Sequence, residues 1–229
     1  MALFTIGDLH LSLGDQFKPM DIFNGWDGYV EKLEQNWKNT VAAADTVVLA
    51  GDTSWAMKLP NVYNDFKFID SLPGKKIILK GNHDYWWSTM AKMERFVLEN
   101  HFDTISFLFN NCYTYGKYGI CGTRGWVSMG DRTEDEKVQF REVQRLEVSI
   151  KAAVDQGLEP VVFLHYPPVY GSSSNYDILD VLYRYGIKQC FYGHIHGYSQ
   201  KNAITGIRDG VEYIMISSDY LSFAPYRVM

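Results

Sequence analysis

Short apolar runs recur along the chain, and each is followed closely by polar residues that favour turns. The clearest runs are 3–6, 46–50, 77–79 and 161–164, which precede segments of Gly, Asn, Asp or His. Runs of this length that end in such residues are typical of buried strands followed by loops. Segments with helical periodicity lie between them, so the pattern predicts strand-helix-strand units.

Apolar residues three and four positions apart predict two long helices. The first has its apolar positions at Trp26, Val30, Leu33, Trp37, Val41 and Ala44. The second begins near Thr133, whose spacing to Glu136 fits a capping box, and ends before Gly157. A further helix is expected to begin near Ser88.

Six other segments have the alternation and flanking turn residues of hairpin strands. They are 105–109, 111–115, 118–122, 199–205, 211–217 and 223–228. Two sheets with flanking helices follow from these elements. Because the 229 residues contain no linker-like stretch and no internal repeat, we expect one domain over 1–229.

Composition narrows the class of protein. The chain is 46% apolar, with 13 Phe, 16 Tyr and 6 Trp, which is ample for a buried core. Its formal charge of -5 has the wrong sign for neutralising a long nucleic acid. The three cysteines form no CxxC pair, and no cleavable leader or membrane-length apolar run is evident. A reduced, soluble, cytoplasmic protein without a membrane partner is therefore expected.

Polar clusters follow the predicted strands, and five of the six histidines lie in them. The clusters are Asp8-Leu9-His10, Gly51-Asp52, Gly81-Asn82-His83-Asp84, His165 and Gly193-His194-Ile195-His196. Any one of them alone is more often a turn or a helix cap. Five in succession at strand ends predict a shared crevice, and their nitrogen and oxygen donors suit Mn, Fe, Zn or Ni.

In this order, the clusters resemble the motifs of the calcineurin-like metallophosphoesterase family over residues 8–196. The resemblance implies an α/β fold with mixed sheets, arranged as a four-layer α-β-β-α sandwich. It also implies a binuclear metal-dependent phosphoesterase. The length leaves little room for a cap domain, so a single metallophosphoesterase domain without a substantial cap is expected over 1–229.

The same resemblance assigns the ligands of two divalent or trivalent transition metal ions. One ion would be held by Asp8, His10 and His196, and the other by Asn82, His165 and His194. Asp52 would bridge them, since an anion is needed to serve two cations. A hydroxide shared by the two ions would attack the phosphorus of the ester.

His83 directly follows a proposed ligand and cannot easily reach the same metal. The resemblance implies that it faces the substrate as an acid or an electrostatic aid. Asp84 either orients His83 or caps the following helix, and the sequence favours neither role.

Two further features have a functional and a structural interpretation. Arg124 lies between glycines, where a guanidinium could bind phosphate in bidentate fashion or could simply flank a turn. Tyr85-Trp86-Trp87 could stack on a substrate ring, although packing in the core is the more common use of such a run.

Together these features predict hydrolysis of a small phosphomonoester or phosphodiester. A nuclease is one alternative, but it would need a basic stripe, whereas the 22 Lys and Arg are scattered and outnumbered by 27 Asp and Glu. A non-catalytic, metal-stabilised interaction domain is another, and the completeness of the ligand set argues against it.

Overall fold

The computed structural model describes residues 1–14, 18–126 and 132–229, without the side chains of 132–135. The strands are β1 (Leu3–Ile6), β2 (Thr46–Ala50), β3 (Lys75–Leu79), β4 (Ile105–Phe107), β5 (Tyr113–Tyr115), β6 (Tyr118–Thr123), β7 (Glu159–Leu164), β8 (Val169–Tyr170), β9 (Ser173–Ser174), β10 (Gln189–Tyr192), β11 (Gly206–Arg208), β12 (Val211–Met215) and β13 (Tyr226–Arg227). The α-helices are α1 (Tyr29–Thr40), α2 (Tyr63–Ser71), α3 (Met90–Glu99), α4 (Arg132–Val154) and α5 (Tyr176–Arg184). Two 3-10 helices span Leu59–Val62 and Gly197–Asn202.

Two mixed sheets are built around parallel strands. The first has the order β13-β1-β2-β3-β4, and only β13 runs antiparallel to its neighbour. The second has the order β11-β12-β10-β7-β6-β5, with antiparallel strands at its two edges. The strand-helix-strand prediction is therefore confirmed for the central strands of both sheets.

The alternation of side chains along each strand divides the core into three parts. Leu3 and Val48 of the first sheet pack between the sheets with Phe163 and Phe191 of the second. The opposite face of the first sheet packs against α1, α2 and α3. The outer face of the second sheet packs against α4 and α5. This is the four-layer α-β-β-α arrangement that the family resemblance implies.

Several element predictions are confirmed with small shifts at the ends. Strands 3–6 and 46–50 have the predicted bounds, and the second long helix begins at Arg132. The predicted capping contact of Thr133 lies outside the described side chains. The first helix is shorter than its apolar pattern, because Gly28 before it has a left-handed φ of 57° and Val41 after it is extended. All three cysteines are free.

Three predicted hairpin strands are wrong. Segment 105–109 contributes β4, which pairs in parallel with β3 in the first sheet rather than with the next strand along the chain. Segment 199–205 is mostly a 3-10 helix, and the strand that pairs with β12 begins only at Gly206. Segment 223–228 keeps only Tyr226–Arg227 as a strand, because Phe223 adopts a left-handed φ of 60°.

None of the helices in the described ranges combines the length and the apolar character that crossing a bilayer requires.

Candidate metal centre

The candidate ligands meet because the parallel strands of both sheets end at one shared edge. An isolated parallel bridge between Gly7 and Ser217 joins the sheets there. The residues that follow the strand ends are Asp8 after β1, Asp52 after β2, Asn82 after β3, His165 after β7 and His194 after β10. His10 and His196 lie two residues beyond the first and the last of these. All seven predicted ligands thus lie on the same side of the two sheets.

Four of these residues have a left-handed backbone, which is uncommon for residues other than glycine. The φ angles are 59° at Asp8, 47° at His10, 49° at Asp52 and 72° at His194. Such conformations cost about 1–3 kcal/mol each and persist where surrounding contacts hold them. The amides of Asp8 and His10 supply such contacts, since they donate to the carbonyls of Gly51 and Asp52 at 2.9 and 2.8 Å.

Gly81 and Gly193 allow the carboxylates of Asp52 and Asp8 to contact the backbone of a neighbouring loop closely. A Cβ on Gly81 would lie 2.1 Å from Oδ1 of Asp52. A Cβ on Gly193 would lie 2.4 Å from Oδ2 of Asp8. Any side chain at these two positions would therefore displace a candidate ligand, which explains the glycines that precede Asn82 and His194.

The first group of potential ligands contains Asp8, His10 and His196. One ligand atom from each lies within 4.8 Å of the others. Nε2 of His10 is 3.4 Å from Nε2 of His196, and that atom of His196 is 3.5 Å from Oδ1 of Asp8.

The second group contains Asp52, His165 and His194, again with one ligand atom each within 4.8 Å of the others. Nδ1 of His194 lies 3.3 Å from Nε2 of His165. Oδ1 of Asn82 lies 2.6 Å from the same His165 nitrogen, so the amide joins this group.

Asp52 lies between the two groups. Its Oδ2 is 3.8 Å from Nε2 of His10 and 3.5 Å from Nε2 of His165. Its Oδ1 accepts a hydrogen bond from the amide of His83 at 2.7 Å. One carboxylate oxygen therefore faces both sets of donors, which is the position a bridging ligand would need.

The hydrogen bonds of two histidines fix which ring nitrogen is available. Nδ1 of His165 donates to the carbonyl of Ala50 at 3.0 Å, and Nδ1 of His196 donates to Asp219 at 2.9 Å. In the neutral ring, each Nε2 would then present its lone pair to a cation in the crevice. The Nε2 of His196 lies 3.4 Å from a ring nitrogen of His10, and the Nε2 of His165 lies 3.3 Å from a ring nitrogen of His194. Two ring nitrogens this close together could bind the same cation. The donor set therefore suits two transition metal ions.

Without cations, the buried carboxylates and imidazoles of this crevice have strongly shifted pKa values. Burial raises the pKa of Asp52 to about 8, and the nearby Asp8 carboxylate adds to the rise. Burial and the neighbouring His165 lower the pKa of His194 to about 3. Burial opposes ionisation of Asp8 as well, but His196 and the other imidazoles outweigh it and hold this pKa well below its usual range. Cations at the two groups would favour ionised carboxylates and neutral imidazoles.

His83 lies beside the ligands and belongs to neither group. Its ring centroid is 4.4 Å from that of Trp55 and 5.8 Å from that of His10. Its Nδ1 lies 3.2 Å from the hydroxyl of Tyr85. Burial lowers the pKa of this half-buried imidazole to about 4, with the neighbouring His165 as the second cause.

Asp84 joins the loops that follow β2 and β3. Its Oδ1 accepts from the amides of Thr53 and Ser54 at 2.9 and 3.2 Å, and its Oδ2 accepts from the amide of Gly81 at 2.7 Å. Oδ1 also accepts from the indole of Trp86 at 2.9 Å. These contacts match neither of the two roles predicted for Asp84. Through them, Asp84 positions the backbone segments that carry Asp52 and Asn82.

Two of the three aromatic residues in the run Tyr85-Trp86-Trp87 pack in or against the core, as the structural interpretation predicted. Trp86 is buried in the core of the first sheet, and Trp87 packs against that core. Tyr85 is exposed beside His83.

Sequence reasoning missed Asp219, which follows β12. Its Oδ1 accepts from Nδ1 of His196, while its Oδ2 accepts from the amide of Gly197 and from Gln200 at 2.9 and 2.8 Å. The signal was present, because Ser217-Ser218-Asp219 follows an apolar strand as the other clusters do.

Arg124 directly follows β6. Nη2 of Arg124 is 3.6 Å from the buried carboxylate of Glu142, and the guanidinium lies 4.8 Å from the ring centroid of Trp126. Its carbonyl accepts from the amide of Tyr166 at 2.8 Å. Its Nε is buried without a partner among the described atoms. Phosphate binding by Arg124 stays a prediction.

A cavity of about 640 Å³ opens beside the two C-terminal histidines of the site. It is lined by Trp126, Gln139, Tyr166, Pro167, Pro168, Tyr170, Ser173, Ser174, Asn175, Tyr176, His194, Ile195, His196 and Ser199.

Comparisons with known proteins concern the family and the fold of the chain. The sequence profile of the family described as calcineurin-like phosphoesterase matches residues 1–198. The fold is similar to that of the protein of unknown function AQ665 from Aquifex aeolicus, with a TM-score of 0.50 and 16% identity over 99% of this chain and 95% of that one. It is also similar to the phosphopantetheinyl hydrolase PptH from Mycobacterium tuberculosis, with a TM-score of 0.55 and 15% identity over 100% and 95% of the two chains. No curated protein sequence matches the chain.

Proposed function

The chain belongs to the calcineurin-like phosphoesterase family, and from this premise we propose that it hydrolyses a small phosphate ester at two metal ions. The observation that carries the proposal is the position of Asp52. Its Oδ2 lies within 3.8 Å of ring nitrogens from both groups of ligands, so one carboxylate can serve both ions.

Each group of side chains would hold one ion. Asp8, His10 and His196 bind the first, and Asn82, His165 and His194 bind the second. Two ions bound there would lower the pKa of a shared water molecule and offset the charge that develops on the phosphate oxygens. The amide of Asn82 supports this use, because it donates an oxygen without adding negative charge that would weaken the effect.

The backbone around the site keeps these ligands in place before substrate binds. Asp84 holds the loops of Asp52 and Asn82 together through three amide hydrogen bonds. Asp219 and the carbonyl of Ala50 orient the rings of His196 and His165. Preorganised ligands reduce the reorganisation that the reaction requires.

His83 would assist the departing ester oxygen. Because its pKa is lowered to about 4, the ring is neutral at pH 7 and can donate a hydrogen bond to that oxygen. Full proton transfer requires that the negative charge of the bound phosphate group raise this pKa, since a nearby negative charge favours the imidazolium. The contribution of His83 to the rate therefore depends on how much the leaving oxygen needs a proton in order to depart.

The test is hydrolysis by the full chain with and without metals. Protein stripped with a chelator is reloaded with Mn, Fe, Zn or Ni and assayed on alkyl and aryl phosphomonoesters and phosphodiesters. PptH is a phosphopantetheinyl hydrolase by name, so a phosphopantetheinyl ester belongs in this panel.

We expect activity to be absent after stripping and to return with metal to at least one class of ester. Hydrolysis that is insensitive to chelation, or no hydrolysis of any ester by protein carrying two ions, would contradict the proposal. Asp180→Asn is the matched control, because this exposed carboxylate pairs only with a surface arginine, Arg184, in the described contacts.

A further inference from the structure

The cavity beside the metal centre has the size of a small-molecule site. Its volume of about 640 Å³ falls within the range of about 300–1,000 Å³ that such pockets occupy. His194 and His196 belong both to the cavity wall and to the two groups of candidate metal ligands. A phosphate bound at the ligands would therefore have the cavity directly beside it.

Rings form a continuous wall from the ligands into the cavity. Tyr166 follows the ligand His165 directly in the chain, and its ring centroid lies 4.2 Å from that of His194. The indole of Trp126 packs edge-on against Tyr166 at 5.6 Å. Pro167 and Pro168 extend this wall. Tyr166 is only 7% exposed, so the wall is fixed by packing.

Two polar side chains of the lining, Asn175 and Tyr170, have partners within the protein. Asn175 accepts from the amide of Ile178 at 3.1 Å and donates to the carbonyl of Trp126 at 2.8 Å. The hydroxyl of Tyr170 donates to the carbonyl of Ser199 at 3.1 Å. These two side chains are satisfied without a ligand, and the rings and prolines named above make up much of the remaining wall.

Charge is also sparse here. Gln139 uses its amide nitrogen to donate to Asp177 at 2.6 Å, outside the lining. Within the described part of the chain, no Lys, Arg, Asp or Glu lines the cavity. Once His194 and His196 bind the metal ions as neutral imidazoles, a charged organic group would lose its hydration there without gaining an ion pair with a side chain, which disfavours its entry.

We propose that this cavity receives the organic group of the phosphate ester and that it selects an uncharged, ring-bearing group. The inference rests on the proposed function, because the metal centre must hold the phosphate. Rings suit the wall, since offset and edge-to-face contacts with Tyr166 and Trp126 add to the burial of apolar area.

The test uses three phosphonates that the enzyme cannot hydrolyse. Methylphosphonate, phenylphosphonate and 4-carboxyphenylphosphonate are titrated by calorimetry into manganese-loaded protein and into stripped protein. We expect phenylphosphonate to bind about 10-fold or more tightly than methylphosphonate, since burying one ring removes well over 50 Å² of apolar surface from water. The carboxylate should remove most of that advantage.

Substitutions in the cavity wall test whether the preference for the phenyl group arises there. Ser174→Trp should occupy part of the cavity with a ring and reduce the advantage of the phenyl group while the affinity for methylphosphonate persists. Tyr176→Ala, which trims an exposed ring of the lining, should reduce the advantage without filling the space. Tyr198→Ala is the matched control, because this exposed tyrosine also lies near His196 but does not line the cavity.

The outcomes separate the two proposals. If the phosphonates bind only with metal but with equal affinities, or if both wall variants keep the full phenyl advantage, the assignment of the cavity is overturned. If none of the three phosphonates binds in a metal-dependent way, the proposed function itself is overturned.

Discussion

The carboxylate of Asp219 and the imidazole of His196 form a hydrogen bond of 2.9 Å that fixes which ring nitrogen faces the crevice. Burial alone would lower the pKa of His196, but Asp8 and Asp219 outweigh it and raise this pKa to about 10 in the metal-free protein. A cation would have to displace that proton from Nε2. Asp219 then holds the other proton on Nδ1 and keeps the ring oriented.

Asp219→Asn should therefore weaken metal binding. The amide keeps the size of the side chain but loses the charge that supports the imidazole, and changes of this kind typically cost about 10–100-fold in metal affinity. Metal affinity is measured by competition with a coloured chelator, alongside the thermal stability of the protein. Unchanged affinity in a folded Asp219→Asn protein would reduce the carboxylate to a local structural role.

His83→Ala should leave both ions bound and slow hydrolysis. Assistance by a general acid is worth about 10²–10⁴-fold, and it matters most for a leaving group that departs poorly. The loss in kcat should thus be large for an alkyl ester and small for a nitrophenyl ester. Metal content is determined on the same samples. Loss of a metal would make His83 a ligand, and equal losses for both esters would leave it only an electrostatic or positioning role.

The positions of the candidate ligands at one edge of the sheets could be predicted because each strand end carries its own local signal. Apolar runs followed by Gly-Asp or Gly-Asn-His are short patterns, and seven predicted ligands lie at the same edge of the sheets in the structure. Pairing between strands is not local, and this is why segment 105–109 was wrongly assigned to a hairpin. Its partner β3 lies about 30 positions earlier in the first sheet, whereas the expected partner strands β5 and β6 lie in the second.

Other features depend on contacts that the sequence does not display. Asp219 lies 23 residues from its partner His196, so its role requires the folded chain. The contacts of Asp84 with amides about 30 positions away have the same origin. Helix α5 is a different case, because Ile178, Leu179, Val181 and Leu182 lie on one buried face that its periodicity could have revealed. A single domain over 1–229 stays a prediction.

Arg124→Ala tests whether the guanidinium binds phosphate. If it does so equally in the ground and transition states, KM should rise more than kcat falls. Alternatively, Arg124 stabilises the fold. It shares the buried carboxylate of Glu142 with Arg145, which donates to that carboxylate at 2.5 Å. Steady-state kinetics and denaturant unfolding are compared with Arg184→Ala, a surface arginine paired with Glu147. Unchanged KM with lowered stability would assign Arg124 to the core rather than to the substrate.

The central claim is that Asp52 joins two ions, and electron paramagnetic resonance of the manganese-loaded protein tests it most directly. Two Mn²⁺ ions about 3.5–4 Å apart that share a carboxylate couple magnetically. We predict a coupled spectrum at two ions per chain, and its loss in Asp52→Asn but not in Asp180→Asn. A spectrum of isolated Mn²⁺ ions at full loading of the unmodified protein, or an unchanged coupled spectrum in Asp52→Asn, would contradict the account.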